Sequence, residues 1–188
     1  MNLEPGDVLL FAPNGLAIIP RFIRLIQGNR ACHCAIVTEY QNGVVTFVES
    51  DRGGGRVVSI PLVDLSDYGE VQLFAYAKPD MGKPPTADWS TFVYDAVHSV
   101  MKSPFFDRYS YITIFDRALD HFIGLFSKAY KPRQHLNPHG FTCSYFVASC
   151  YDNIYGASNP NWCLGNRPMS IWEPDDFTKY PWQLIAYP

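Results

Sequence analysis

The chain has 188 residues, with 15 Lys and Arg against 18 Asp and Glu, for a formal charge of −3. No basic excess is available to neutralise phosphates, which excludes a protein held electrostatically to nucleic acid. With only 18% charged and 47% hydrophobic residues, the chain can bury enough apolar surface to offset its ordering entropy, which excludes intrinsic disorder.

Pro5-Gly6 turns the chain into a short apolar strand from Asp7 to Phe11. The stretch 16–27 (LAIIPRFIRLIQ) predicts a short helix with Ile19, Phe22, Ile23 and Ile26 on one side and Pro20 near its start. Two strands follow, His33–Tyr40 and Val44–Ser50, joined through the hairpin signal Gln41-Asn42-Gly43. After the turn Asp51-Arg-Gly-Gly-Gly55, further strands are expected at Arg56–Ile60 and Val71–Ala77. The pattern then changes across the proline-rich segment Lys78–Thr86. Trp89, Phe92, Val93, Ala96, Val97, Val100 and Met101 keep helical spacing, and Ser103-Pro104 stops that helix. A second helix is marked by Ile112, Phe115, Leu119, Phe122, Ile123 and Phe126, and a third runs from about Cys143 to Tyr155. A turn-rich stretch leads to a last strand, Trp182–Tyr187. Strands first and helices after predict a single α+β domain over 1–188, a small antiparallel sheet packed against a helical half.

Aromatic residues are uneven, 7 in 1–80 and 22 in 81–188, so the second half holds a large core or a core with an apolar groove. Phe105, Phe106, Tyr109, Tyr111, Phe141 and Tyr145 fall near loops or the third helix's start and favour the groove. No segment reaches the roughly 20 apolar residues that span a bilayer. The opening MNLEPGDVLLF lacks the basic start of a signal peptide. The expected location is cytoplasmic, or exported without a recognisable signal peptide. Arg21 and Arg24 flank isoleucines and Phe22 in segment 15–27, a weak membrane signal; the length favours an ordinary surface helix.

Five cysteines (Cys32, Cys34, Cys143, Cys150, Cys163) form no framework spacing and read as reduced thiols. Cys143 opens the third helix, whose unpaired N–H groups and dipole stabilise a thiolate, although most cysteines so placed are simply buried apolar groups. Cys150, seven residues on, reads as core. Strand alternation puts His33 on one face and both Cys32 and Cys34 on the other. A zinc site would need that cysteine pair joined by partners from elsewhere, so the expectation is no metal and no cofactor. Glu49, in an otherwise apolar strand, can orient the His33 imidazole if the register allows. A two-residue Asn42-Gly43 turn puts Glu49 and His33 on opposite faces; a three-residue loop pairing Tyr40 with Val44 puts them diagonally on one. A Cys-His-Glu triad therefore predicts the three-residue loop.

Gly6-Asp7-Val-Leu-Leu-Phe11, then Cys-His33-Cys-Ala-Ile-Val, then Val-Glu49-Ser, and late in the chain Phe141-Thr-Cys143-Ser144-Tyr-Phe-Val, resemble in their order the circularly permuted NlpC-type papain-like hydrolases of the YiiX-like branch. Arg108-Tyr109-Ser-Tyr111 is more loosely similar to that family's tyrosine-bearing segment, and Arg167-Pro168 with Glu173-Pro174-Asp175-Asp176-Phe177 to its closing pattern. Cys32 departs from the more usual serine. The resemblance implies a permuted papain-like fold with Cys143 as nucleophile, His33 as base, Glu49 as orienting residue, and Tyr109 and Tyr111 lining the site. It also implies acyl transfer from an amide or ester, on a peptidoglycan-type peptide or a lipid-like acyl substrate. Two other readings stand beside it: a non-catalytic lipid- or peptide-binding module on the same fold, and a zinc protein built on Cys32 and Cys34.

Overall fold

A computed structural model describes residues 2–16, 18–27, 30–80, 88–109, 119, 123, 140–155, 173–179 and 182–187. The elements are β1 (Val8–Pro13), α1 (Ile18–Gln27), β2 (His33–Gln41), β3 (Val44–Asp51), β4 (Gly54–Pro61), β5 (Val71–Pro79), α2 (Trp89–Met101), α3 (Cys143–Tyr155) and β6 (Trp182–Ala186). Short 3-10 turns cover Leu62–Asp67 and Pro174–Thr178. The strands form one six-stranded sheet in the order β4-β3-β2-β1-β5-β6, with every neighbour antiparallel. This is an α+β architecture. The expected strands and the helices at 89–101 and 143–155 appear within a few residues of their sequence bounds. The helix expected over 112–126 lies outside the described residues except for Leu119 and Ile123. Among the described residues no helix is long and apolar enough to cross a membrane.

Strand alternation divides the core into two layers. Val8 and Leu10 of β1, Cys34 and Ile36 of β2, and Val48 of β3 face α2 and α3, meeting Val93, Val97, Phe146, Val147, Cys150 and Tyr151. The other face carries Leu9, Phe11, Ala35, Val37, Val45, Phe47, Leu73 and Tyr76, packed with Leu3 and Leu65. Asp88 caps α2 by accepting from the N–H groups of Ser90 and Thr91. The Tyr151 hydroxyl donates to the Gly6 carbonyl, tying α3 to the turn before β1.

The β2–β3 hairpin corrects the expected loop. Gln41 pairs with Val44, so the turn has two residues, and Asn42 and Gly43 take φ of 53° and 78° as a type I′ turn requires. By itself this register separates His33 from Glu49. The ladder slips by one residue, however, between Val37 and Glu39: Glu39 pairs with Thr46, but Val37 pairs with Phe47 and Ile36 with Val48. Thr38 is the extra residue of a β-bulge, and the Thr38 hydroxyl donates to the Thr46 carbonyl across it at 3.2 Å. Beyond the bulge the pairing is the one a three-residue loop would have produced, and His33 and Glu49 share a face.

The β3–β4 turn anchors the chain that leads to α3. The Gly55 N–H donates to the Phe106 carbonyl at 2.7 Å, and the Phe106 ring lies where a Gly55 side chain would stand. Phe106 and Phe141 are buried among the α3 core residues, so neither lines a groove as the aromatic distribution suggested. Gly55→Ala is expected to destabilise the fold by about 1–3 kcal/mol through this overlap. Denaturant unfolding reads the effect, and an unchanged midpoint would mean that Phe106 does not pack there.

Candidate active site

His33 is the first residue of β2 and is almost fully buried beside Phe11, with ring centroids 5.6 Å apart. The Nε2 atom of His33 stands 2.6 Å from Glu49 Oε2. Glu49 is completely buried, and its second oxygen, Oε1, accepts from Arg56 Nε at 2.6 Å and from the Tyr68 hydroxyl at 2.8 Å. Arg56 also reaches Asp51 at 3.2 Å and the Tyr68 oxygen at 3.0 Å. Both carboxylate oxygens are thus occupied, and the imidazole is held by its Nε2 edge. Nδ1 is the ring nitrogen that Glu49 leaves open, and Cys143 is close enough for its charge and hydrogen bonding to act on the ring.

Cys143 comes to this point because the chain before it is pinned twice. Phe141 donates its N–H to the Arg108 carbonyl at 3.0 Å and accepts from the Ser50 hydroxyl at 3.3 Å, Ser50 being the neighbour of Glu49. Tyr109 forms an isolated parallel bridge with Phe141. Tyr109 therefore adjoins the segment that opens α3, in contact through its backbone; Tyr111 and Cys163 lie outside the described residues. Thr142 closes the first turn of α3, its hydroxyl accepting from the Tyr145 N–H at 3.3 Å.

The ionisation states follow from these contacts. Burial opposes the charge on Glu49, but His33 first, with Arg56 and Tyr68, outweighs it and holds the carboxyl at about 2. Burial likewise disfavours the imidazolium of His33, and the charges of Glu49 and Cys143 overcome it, so the ring titrates well above its usual range. For Cys143 the leading influence is a hydrogen bond from the Cys34 thiol. Together with the charge and hydrogen bond of His33, it outweighs burial and brings Cys143 well below the usual thiol range. Cys34 is held protonated by burial and by its neighbour, so it remains a donor. The arrangement favours a thiolate–imidazolium pair whose two protons come off as coupled steps.

Cys32 and Cys34 do not share a face as strand alternation suggested. Cys32 precedes the first ladder residue of β2, where alternation has not begun, and it packs with Leu9, Phe11 and Ala35, while Cys34 packs with Val8, Leu10 and Cys143. The pair therefore does not converge as two ligands of one ion would. Burial pushes the Cys32 thiol up to about 12, and its Sγ lies 3.4 Å from the Phe11 carbonyl. Cys150 is core, as its spacing predicted, and burial raises its pKa. Among the described residues no group of three His, Cys, Asp or Glu could hold a metal ion.

Sequence reasoning missed four contributors. Tyr68 and Arg56 complete the shell of Glu49, Cys34 helps to lower the pKa of Cys143, and Asp175 accepts from the N–H groups of Arg30 and Ala31 at 3.2 and 2.8 Å, fixing the approach to His33. Cys34 and Asp175 stood in stretches the sequence had singled out, though not for these roles. Asp7 of the Gly6-Asp7 pair sits at the other end of β1 from the His33 partner Phe11. Its carboxylate accepts from the Glu4 N–H at 2.9 Å and from Lys78 at 3.1 Å, a structural tie.

No family model matches the chain, and no curated protein matches it.

Thiolate absorbance in the ultraviolet tests the electrostatics. The wild-type protein is expected to retain one thiolate below neutral pH, and Cys143→Ser should remove that component. Cys34→Ala should move its midpoint to higher pH, because the thiolate loses a donor while the neutral thiol loses little. A low-pH component that survives Cys143→Ser would contradict the assignment.

Proposed function

We propose that the chain is a cysteine-dependent hydrolase or acyltransferase that cleaves an amide or ester bond with Cys143, His33 and Glu49. The observation that carries the reading is the chain of contacts from Glu49 through the His33 ring to a thiol at a helix N-terminus. Burying a carboxylate, an imidazole and a thiol together costs several kcal/mol per ionised group before the contacts offset it. Groups so arranged to perturb one another cluster at reactive sites, and a binding module needs none of this. The order of motifs along the chain fits the permuted papain-like, YiiX-like pattern in which histidine precedes cysteine.

In this mechanism the Cys143 thiolate attacks the substrate carbonyl carbon, forming a C–S bond as the C=O electron pair moves onto oxygen. The N–H of Cys143 itself, in the first turn of α3, is suited to hold that oxyanion. Collapse of the tetrahedral intermediate breaks the bond to nitrogen or oxygen. His33 gives its proton to the departing amine or alcohol, leaving a thioester on Cys143 and a neutral ring. Water then attacks the thioester with His33 taking its proton, and the acid product leaves with Cys143 restored. An amine or alcohol in place of water makes the reaction an acyl transfer. Glu49 holds the ring and stabilises each imidazolium stage without itself changing protonation. The proposed substrates are peptidoglycan-type peptides or lipid-like acyl esters and amides. Reduced thiols at Cys32, Cys34, Cys143 and Cys150 fit a reducing compartment such as the cytoplasm.

Activated acyl esters and peptidoglycan-type peptides assay this proposal. Cys143→Ala and His33→Ala should each lower kcat/KM by about 10³-fold or more, and Glu49→Gln by about 10–100-fold. The pH profile should be bell-shaped: protonation of Cys143 limits the acid side and loss of the His33 proton the alkaline side. Without the Glu49 charge the imidazolium is less favoured, so Glu49→Gln should move the alkaline limb to lower pH. Turnover equal to wild type in Cys143→Ala would refute the proposal.

A further inference from the structure

Helix α1 leaves an apolar stripe in water. Ile18, Phe22 and Leu25, at i, i+4 and i+7, lie on one side of the helix, and they are 80%, 57% and 78% exposed. Leu16, just before the helix, is 83% exposed. What attaches α1 to the sheet lies elsewhere on its circumference: Ile23 packs against the Leu9–Phe11 layer, and Pro20 is buried. Other exposed large apolar residues, such as Val57, Tyr94 and Leu184, are distributed over β4, α2 and β6. Four such side chains in ten residues therefore make a continuous strip that ordinary surface scatter does not explain.

The charge carried by the helix itself has one sign. Arg21 and Arg24 are exposed on the flank of α1 next to it, and the chain has no Asp or Glu from Val8 to Thr38. Acidic groups stand at the two ends: Asp67 accepts from the Asn14 side chain at 2.5 Å before the helix, and Asp175 from the backbone of Arg30 and Ala31 after it. An apolar stripe bordered by arginines is the pattern of a helix lying in a bilayer interface. Its large side chains enter the acyl boundary while the guanidinium groups reach anionic headgroups. A second copy of this chain fits less well, because a two-fold interface centred on α1 would set each pair of arginines against its symmetry mate.

We propose that α1 is an interfacial docking element for an anionic lipid bilayer, with Leu16, Ile18, Phe22 and Leu25 inserted and Arg21 and Arg24 on headgroup phosphates and carboxylates. The sequence suggested an ordinary surface helix for want of length. The structure adds that Pro20 and Ile23 form an inner anchor while Ile18, Phe22 and Leu25 form an outer stripe, which ten residues suffice to display. This docking is independent of the thiol chemistry proposed above. It bears on the neighbouring strand end, since the charge of Arg24 reaches Cys32, next to His33.

Co-flotation of the full chain with vesicles tests the proposal. Vesicles of phosphatidylcholine with about one-third phosphatidylserine should carry the protein, and pure phosphatidylcholine should carry at least about tenfold less. Phe22→Ser with Leu25→Ser, and separately Arg21→Glu with Arg24→Glu, should each weaken anionic binding by about tenfold or more. Because these side chains are exposed, unfolding midpoints should hardly move, so loss of binding can be read apart from loss of fold. Raised salt should weaken binding as well. No flotation with the anionic vesicles overturns the proposal. So does flotation that both double variants retain, or lipid-free self-association that Phe22→Ser with Leu25→Ser abolishes.

Discussion

A carboxylate removed completely from water governs the geometry of this molecule. Taking Glu49 out of solvent costs several kcal/mol, and the cost is offset because His33, Arg56 and Tyr68 all donate to it. Hydrogen bonds to a charged group contribute about 1.5–3 kcal/mol each, so three are enough to keep the carboxylate ionised, although the half-exposed Arg56 is worth less than the two others. The carboxylate then fixes which edge of the His33 ring is engaged and which nitrogen remains. Cys143, brought beside His33 by the clamped Phe141, meets a ring that already favours its cation.

The same constraint explains the irregularity in the hairpin. A type I′ turn at Asn42-Gly43 suits the twist of β2 and β3, but its register alone would turn Glu49 away from His33. The bulge at Thr38 satisfies both demands. Near the turn the ladder follows the loop chemistry, and beyond the bulge it follows the site. Bulges often lie beside functional residues because one extra residue redirects a side chain without rebuilding the strand.

This division also shows what the sequence made legible. Trp89–Met101 and Cys143–Tyr155 are recognisable because apolar residues recur at helical spacing, and the strands because short apolar runs end at Gly, Asn and Pro. The candidate residues His33, Glu49 and Cys143 stood out as polar or reactive groups in apolar settings. Thr38 could not be recognised as a bulge, since Ala35-Ile36-Val37-Thr38 alternates acceptably in either register. Tyr68 and Arg56 act through long-range closure, and nothing local marks them. Cys34 reads in the sequence as half of a cysteine pair for zinc, and its effect on Cys143 exists only where α3 crosses β2. Cys32 was assigned to the wrong layer because alternation was extended one residue beyond the strand. Phe106 and Phe141 were expected near a groove, but they are the buried wedge that positions the start of α3.

The protonation state of His33 tests the central claim most directly. Nitrogen NMR of the imidazole near neutral pH should show protons on both ring nitrogens, a cation paired with the Cys143 thiolate and the Glu49 carboxylate. In Cys143→Ala the ring should lose its second proton at lower pH than in the wild type, because one of its two anionic partners is gone. A neutral ring near pH 7 in the wild type, with a titration that Cys143→Ala leaves unchanged, would contradict the account.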